Sequence, residues 1–118
     1  MQKEDQLAEL SMDLAIEIVR LTKWLQEQKE YTVSRQIGRS GTSIGANIRE
    51  ARYASSRADF ALKLQIALKE ANETGYWLEL LQKTGYLTVE RYQALENLCR
   101  QLRILLAASL NTAKENKQ

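Results

Sequence analysis

The sequence predicts an all-α fold, an up-down-up-down antiparallel four-helix bundle. Three observations lead there. The 118 residues contain no proline and only five glycines. The strong helix formers Leu, Ala, Glu, Gln, Lys and Arg dominate the chain, while Val and Ile are sparse and no alternating strand pattern persists. Apolar residues recur at heptad-like spacing along four stretches, about 5–28, 32–54, 57–84 and 88–113. The joints between them are short, which makes consecutive helices antiparallel. The length fits one domain over residues 1–118, large enough to bury a core without disulfides or metal.

In the first helix Leu7, Leu14 and Leu21 repeat every seven residues, interleaved with Ser11, Ile18 and Leu25, as on the seam of a bundle helix. Met12, Ile16 and Val19 fall on another side, roughly 120–180° away from Leu7 at about 100° per residue. A helix that is apolar twice over needs a second partner. The second helix carries an inward stripe of Val33, Ile37, Ile44, Ile48 and Ala51. Ser56 is then a fresh N-cap, with Asp59 placed to reach back. The third helix has its seam at Phe60, Leu64, Ala67, Ala71 and Leu78, and Gly75 extends the small residues that let a neighbour come close. Leu62, Ile66, Trp77 and Leu80 lie on its other side. With Met12, Ile16 and Val19 they form the candidate homo-oligomer interface, Trp77 being the expected anchor because desolvated aromatics carry most association energy. Lys83-Thr84-Gly85 is a helix stop, and Thr88 caps the fourth helix. That helix runs through Tyr92, Leu95, Cys99, Leu102, Leu106 and Ser109.

One stretch departs from this regular pattern. Gly38, Gly41 and Gly45 fall at spacings of three and four inside the second helix, each costing about 1 kcal/mol relative to Ala. Ser40, Ser43 and Asn47 fall on or beside its inward stripe. Glycines of this kind allow close backbone approach, and polar groups in a core must be paired. Arg39, Ser40, Ser43, Asn47 and Glu50 are therefore expected to form a structural polar network that fixes helix register, with Arg39 and Glu50 pairing to a neighbouring helix or subunit.

The run from Gln36 to Ala51 resembles the signature of the bacterial four-helix-bundle family encoded in large-subunit ribosomal RNA intervening sequences, which is related to accessory proteins of diversity-generating retroelements. Its pattern, approximately Arg-Ser-x-x-Ser-Ile-x-x-Asn-Ile-x-Glu, is matched by Arg39, Ser40, Ser43, Ile44, Asn47, Ile48 and Glu50. The likeness continues through Ser56, Asp59-Phe60, Ile66 to Ala71, Glu73 and Gly85-Tyr86-Leu87, with Gly41 standing where the family often has Ala and Ala51 where many members have Gly. The resemblance implies a homopentamer of four-helix protomers. For the retroelement members it further implies binding of nucleic acid and a reverse transcriptase through a basic surface. The ribosomal label reflects genomic location.

Chemistry is limited by composition. Histidine is absent and Cys99 is the only cysteine, so Cys-His and Ser-His pairs, and most zinc sites, are excluded. Cys99 sits at helical spacing with Leu95 and Leu102 and reads as core. Glu70, Glu73 and Glu79 are the only carboxylates worth testing as a metal or acid/base group, and solvent exposure or pairing with Lys69 and Lys83 is the expected reading. No enzyme, metal or cofactor is expected. Charge is uneven despite a net of +2: between Glu30 and Arg57 five arginines face two glutamates. Arg35, Arg49, Arg52, Arg57, Arg100 and Arg103 are candidate phosphate contacts to RNA or DNA, with Tyr53 beside Arg52 placed to stack on a base. The alternative is a protein-protein scaffold whose basic residues meet an acidic partner or solvent. No apolar window is long enough for a membrane span, and Glu4, Asp5 and Glu9 argue against a secretory signal; a cytoplasmic location is expected.

Overall fold

The computed structural model of the chain describes residues 2–115. These residues form four helices: α1 (Lys3–Glu27), α2 (Tyr31–Arg52), α3 (Arg57–Lys83) and α4 (Val89–Glu115). They stand as an elongated bundle of 50 × 23 × 21 Å. Each helix packs on two neighbours, α1 on α2 and α4, and α3 on α2 and α4; the diagonal pairs α1/α3 and α2/α4 nowhere bring their Cα atoms within 8 Å among the described residues. That square arrangement is the antiparallel bundle that the short joints demand.

The seams lie where the periodicity puts them. Leu14, Ile18, Leu25, Ile37, Ile44, Leu64, Leu78, Leu81, Leu95, Leu102 and Leu106 are essentially inaccessible, each such side chain contributing about 1.5–3 kcal/mol. Cys99 is fully buried among them, and burial pushes its thiol up to about 12, which leaves it a small apolar residue. No helix is long and apolar enough to cross a membrane among the described residues.

The helix ends are set by local hydrogen bonds. Ser56 Oγ accepts from Asp59 N (3.0 Å), and Asp59 answers by accepting from Ser55 N, one residue before the cap. Thr88 Oγ1 accepts from Arg91 N at 3.1 Å. Helix α2 starts at Tyr31, one residue before the expected boundary, and is capped by Glu30, whose carboxylate accepts from Val33 N at 2.8 Å. Both α1 and α3 stop with a left-handed residue, Lys29 (φ 65°) and Gly85 (φ 87°). In each case the next amide returns to the third-last carbonyl of the helix, Glu30 N to Leu25 O and Tyr86 N to Leu81 O, both 2.9 Å. This is a Schellman closure.

Candidate functional site

The glycines of α2 line its α1 side. A Cβ on Gly41 would stand 2.8 Å from Ile18 Cγ1, one on Gly45 3.1 Å from Ser11 Oγ, and one on Gly38 3.2 Å from Thr22 Cγ2. The missing side chains let α1 approach. Gly75 of α3 does something else: its open face receives Arg103 and Glu96 of α4, which form an ion pair with each other.

The polar network resolves into separate parts. Ser40 is buried and hydrogen-bonds across to Thr74 of α3 at 2.9 Å; Thr74 Oγ1 also reaches its own helix's Glu70 carbonyl at 2.8 Å. Ser43 donates to the Ser40 carbonyl and Asn47 to the Ser43 carbonyl, so both bond within α2 rather than across the core. Arg39 reaches α3, donating to Glu70 (2.9 Å) and Glu73, and Glu50 pairs with Lys63 of α3 at 3.3 Å. Glu70 and Glu73 are thus tied to Arg39, where Lys69 and Lys83 were the expected partners. Thr74 and Ser34 were not among the predicted residues. Ser34 is buried, donates to the Thr22 carbonyl of α1 at 3.2 Å and accepts from Gln26. No buried side-chain polar atom among the described residues lacks a partner.

Trp77 is the residue expected to anchor an interface. It is half-buried and packed against the core, with its indole N–H donating to Glu73 Oε2 at 3.0 Å. That bond, opposed by partial burial and seconded by Arg39, holds the Glu73 carboxyl below its usual range. Ile66 and Leu80 are half-buried too. The remaining interface candidates do face solvent: Met12, Ile16 and Val19 on α1 are 42–49% exposed, and Leu62 on α3 is exposed as well. Because α1 and α3 are diagonal, the two exposed sets lie on different sides of the bundle. A groove of about 380 Å³ runs beside the α1 set, walled by Ala8, Met12 and Ala15 of α1 and by Thr42, Gly45, Ala46 and Arg49 of α2.

The six candidate arginines do not gather into one patch. Arg35 and Arg49 lie on α2 and Arg100 and Arg103 on α4, at opposite corners. Arg52 is paired with Asp5 of α1 at 2.7 Å and Arg103 with Glu96. Arg35, Arg49 and Arg100 are exposed and make no ion pair among the described residues. Tyr53 stands 83% exposed at the α2–α3 joint, in a shallow cleft it shares with Arg52 and Arg57.

Fold and surfaces together define an all-α four-helix-bundle protein whose α2 meets α1 closely through its glycines and α3 mainly through polar bonds. The chain belongs to the 23S rRNA-intervening sequence protein family, whose sequence model matches residues 3–108. It is also similar to the crystal structure of a protein with unknown function from the S23 ribosomal protein family of Bacteroides thetaiotaomicron VPI-5482. The two share 53% identity and a TM-score of 0.90, over 93% of this chain and 99% of that one. Comparison with curated proteins gives no match.

Proposed function

We propose that this chain is a non-enzymatic helical-bundle protein that self-associates and binds nucleic acid, or a nucleic-acid-associated protein such as a reverse transcriptase, through its arginines in the cytoplasm. The observation that carries the reading is the outer side of the α1–α2 pair. There an exposed apolar stripe, Met12, Ile16 and Val19, runs beside a groove that holds Arg49, which makes no ion pair among the described residues. Apolar surface left after the protomer closes is best sheltered by sister copies, and a cyclic assembly repeats every free arginine once per subunit. The family's pentamer fits this: two unlike apolar surfaces, on α1 and α3, suit head-to-tail contact in a ring. The family's description as a 23S rRNA-intervening sequence protein is further, weaker support for RNA. The non-enzymatic reading is supported by the tie of Glu70 and Glu73 to Arg39 and by the inert Cys99 thiol.

Contacts of this kind are phosphate-dominated, so affinity for RNA or DNA falls steeply as salt rises. The test is retention of labelled RNA and DNA by the purified assembly across a salt series, with the mass read by light scattering. Salt-released binding by an oligomer supports the proposal; a monomer, or binding that ignores salt, overturns it. A second reading, a protein-interaction scaffold without nucleic acid, is favoured by the internal pairing of Arg52 and Arg103. An oligomer that retains no nucleic acid at any salt would select it.

A further inference from the structure

Where α1 ends and α4 begins, a cleft of about 310 Å³ opens between Arg20, Trp24, Tyr86 and Arg91 over Leu21 and Leu87. None of these four belongs to the candidate phosphate contacts above. The rings of Trp24 and Tyr86 meet edge to face, with centroids 6.2 Å apart and planes at 79°. Such a contact covers one face of one ring, and Trp24 remains 41% exposed.

The arginines are fixed by one shared carboxylate. Arg20 Nη1 donates to Glu17 Oε2 and Arg91 Nη2 to Glu17 Oε1, both at 2.9 Å. A guanidinium carries five N–H donors, so a single bond to Glu17 leaves most of each fork available. The side chains are 70% and 43% exposed. The Arg91 hydrogen bond holds Glu17 below the usual carboxylate range, so the trio carries one net positive charge near neutrality.

Two guanidinium groups anchored on one carboxylate beside a partly exposed indole are a pairing that few ligands can use. A free phosphate has no use for the ring, and a duplex keeps its base faces stacked inside. One nucleotide of a single strand offers an anion and a flat ring at adjacent positions, the combination that aromatic and arginine platforms read. We propose that this cleft takes one nucleotide of a single-stranded nucleic acid, the base stacked on Trp24 and the phosphate held by Arg20 and Arg91. The assignment rests on the nucleic-acid reading above and gives it a site at the opposite end of the bundle from Tyr53.

The test uses fluorescence. Trp24 and Trp77 are the chain's two tryptophans, so Trp77→Phe leaves Trp24 as the sole reporter. A 12-nucleotide single-stranded RNA is expected to quench its emission, while the matching duplex and inorganic phosphate leave it unchanged. In the otherwise natural chain, Trp24→Leu should weaken retention of that RNA about tenfold or more. The Arg20→Gln/Arg91→Gln pair should flatten the log-affinity against log-salt slope by about 0.7, the share of the one single-strand phosphate they hold. Melting and mass, unchanged in each variant, show that it has folded. RNA bound with Trp24 silent and the variants unaffected overturns the site and leaves the nucleic-acid reading standing. Equal quenching by duplex or phosphate overturns the stacked nucleotide. No RNA bound by the natural chain overturns both.

Discussion

Helix α2 is held by its two neighbours in opposite ways. Against α1 it offers absences, Gly38, Gly41 and Gly45, into which Thr22, Ile18 and Ser11 settle. Against α3 it offers groups that must be matched: Ser40 to Thr74, Arg39 to Glu70 and Glu73, Glu50 to Lys63. The first flank is set mainly by packing at short range, which is steep and indifferent to pH, with Ser34 to the Thr22 carbonyl and Arg52 to Asp5 added towards its ends. The second is fixed by direction and charge, which set register and respond to protonation. A single signature in the sequence therefore encodes two physically distinct interfaces, and substitutions on the two flanks should fail differently.

The largest effect is expected at Gly41. A Cβ there would approach Ile18 Cγ1 and Cγ2 below 3.0 Å and its Cβ at 3.2 Å. Ile18 is β-branched and wholly buried, so it has little freedom to yield. Gly41→Val should cost about 3 kcal/mol by overpacking, seen as a lower urea midpoint. Gly41→Ala should cost less, because the helix-propensity gain of about 1 kcal/mol offsets part of the clash. If the α1 flank is steric, the Gly41→Ala/Ile18→Ala double variant loses less than the sum of its singles. Additive losses would show that Ile18 is not what Gly41 makes room for.

The α3 flank should respond next. Ser40→Ala removes a buried partner from Thr74, which keeps the Glu70 carbonyl, so the expected loss is about 1–2 kcal/mol. Thr74→Val should cost a similar amount, and the two should couple strongly in a double-mutant cycle. A coupling within error of zero would mean that Ser40 and Thr74 are merely adjacent.

Much of this architecture could be read in the sequence, and what could not has a physical reason. Periodicity locates the core because burial depends only on which side of a helix a residue occupies; Leu14, Ile44, Leu78 and Leu102 needed no tertiary information. Thr74 escaped notice although the apolar seam of the third helix skips from Ala71 to Leu78, a gap of two turns that a polar core residue had to fill. Ser34 likewise stands three residues before Ile37 on the buried stripe. Pairing is harder than burial. Asn47 and Ser43 could bond across the core or back to their own helix, and composition does not decide between them; the structure has them bond within α2. Arg39 was expected to reach a neighbouring helix or subunit, but its carboxylate partners were expected on Lys69 and Lys83. That choice depends on which face α3 turns to α2, a tertiary fact. The same holds for the arginines, which look clustered along the chain and are divided in space by the diagonal separation of α2 and α4. The cleft at Trp24 joins residues from the end of α1 to the start of α4, too distant in sequence to be associated by spacing.

A smaller and pH-dependent effect separates the flanks further. Glu73 has its pKa lowered from 4.5, first by the Trp77 hydrogen bond and then by Arg39. A carboxyl whose folded value lies below its unfolded value adds stability that is present above the unfolded pKa and is lost as pH falls through the folded one. Stability should accordingly hold steady from neutrality to about pH 5 and decline below the ordinary carboxylate range. Glu73→Gln should shrink that decline, and Gly41→Ala should leave its shape unchanged. Because Arg39 is half exposed, added salt should blunt the Glu73 contribution without touching the Gly41 effect. An identical acid profile in Glu73→Gln would remove charge from the account of the α3 flank.

The smallest expected effect lies in the joints that deliver α2 to α1 and α4 to α3. Both use the same Schellman closure, yet the α3–α4 joint places Gly85 at the left-handed position and the α1–α2 joint places Lys29 there. An L side chain in that region costs about 1 kcal/mol, and glycine's extra freedom in the unfolded chain returns part of the difference. Lys29→Gly should therefore raise the urea midpoint by the equivalent of about 0.5 kcal/mol. Gly85→Ala, with open space around its Cβ, should lower it by a similar amount, about 0.5 kcal/mol, through backbone conformation alone. If Lys29→Gly instead destabilises the chain, the lysine side chain makes a contact worth more than its strained backbone. The α1–α2 flank would then depend on its joint as well as on its glycines.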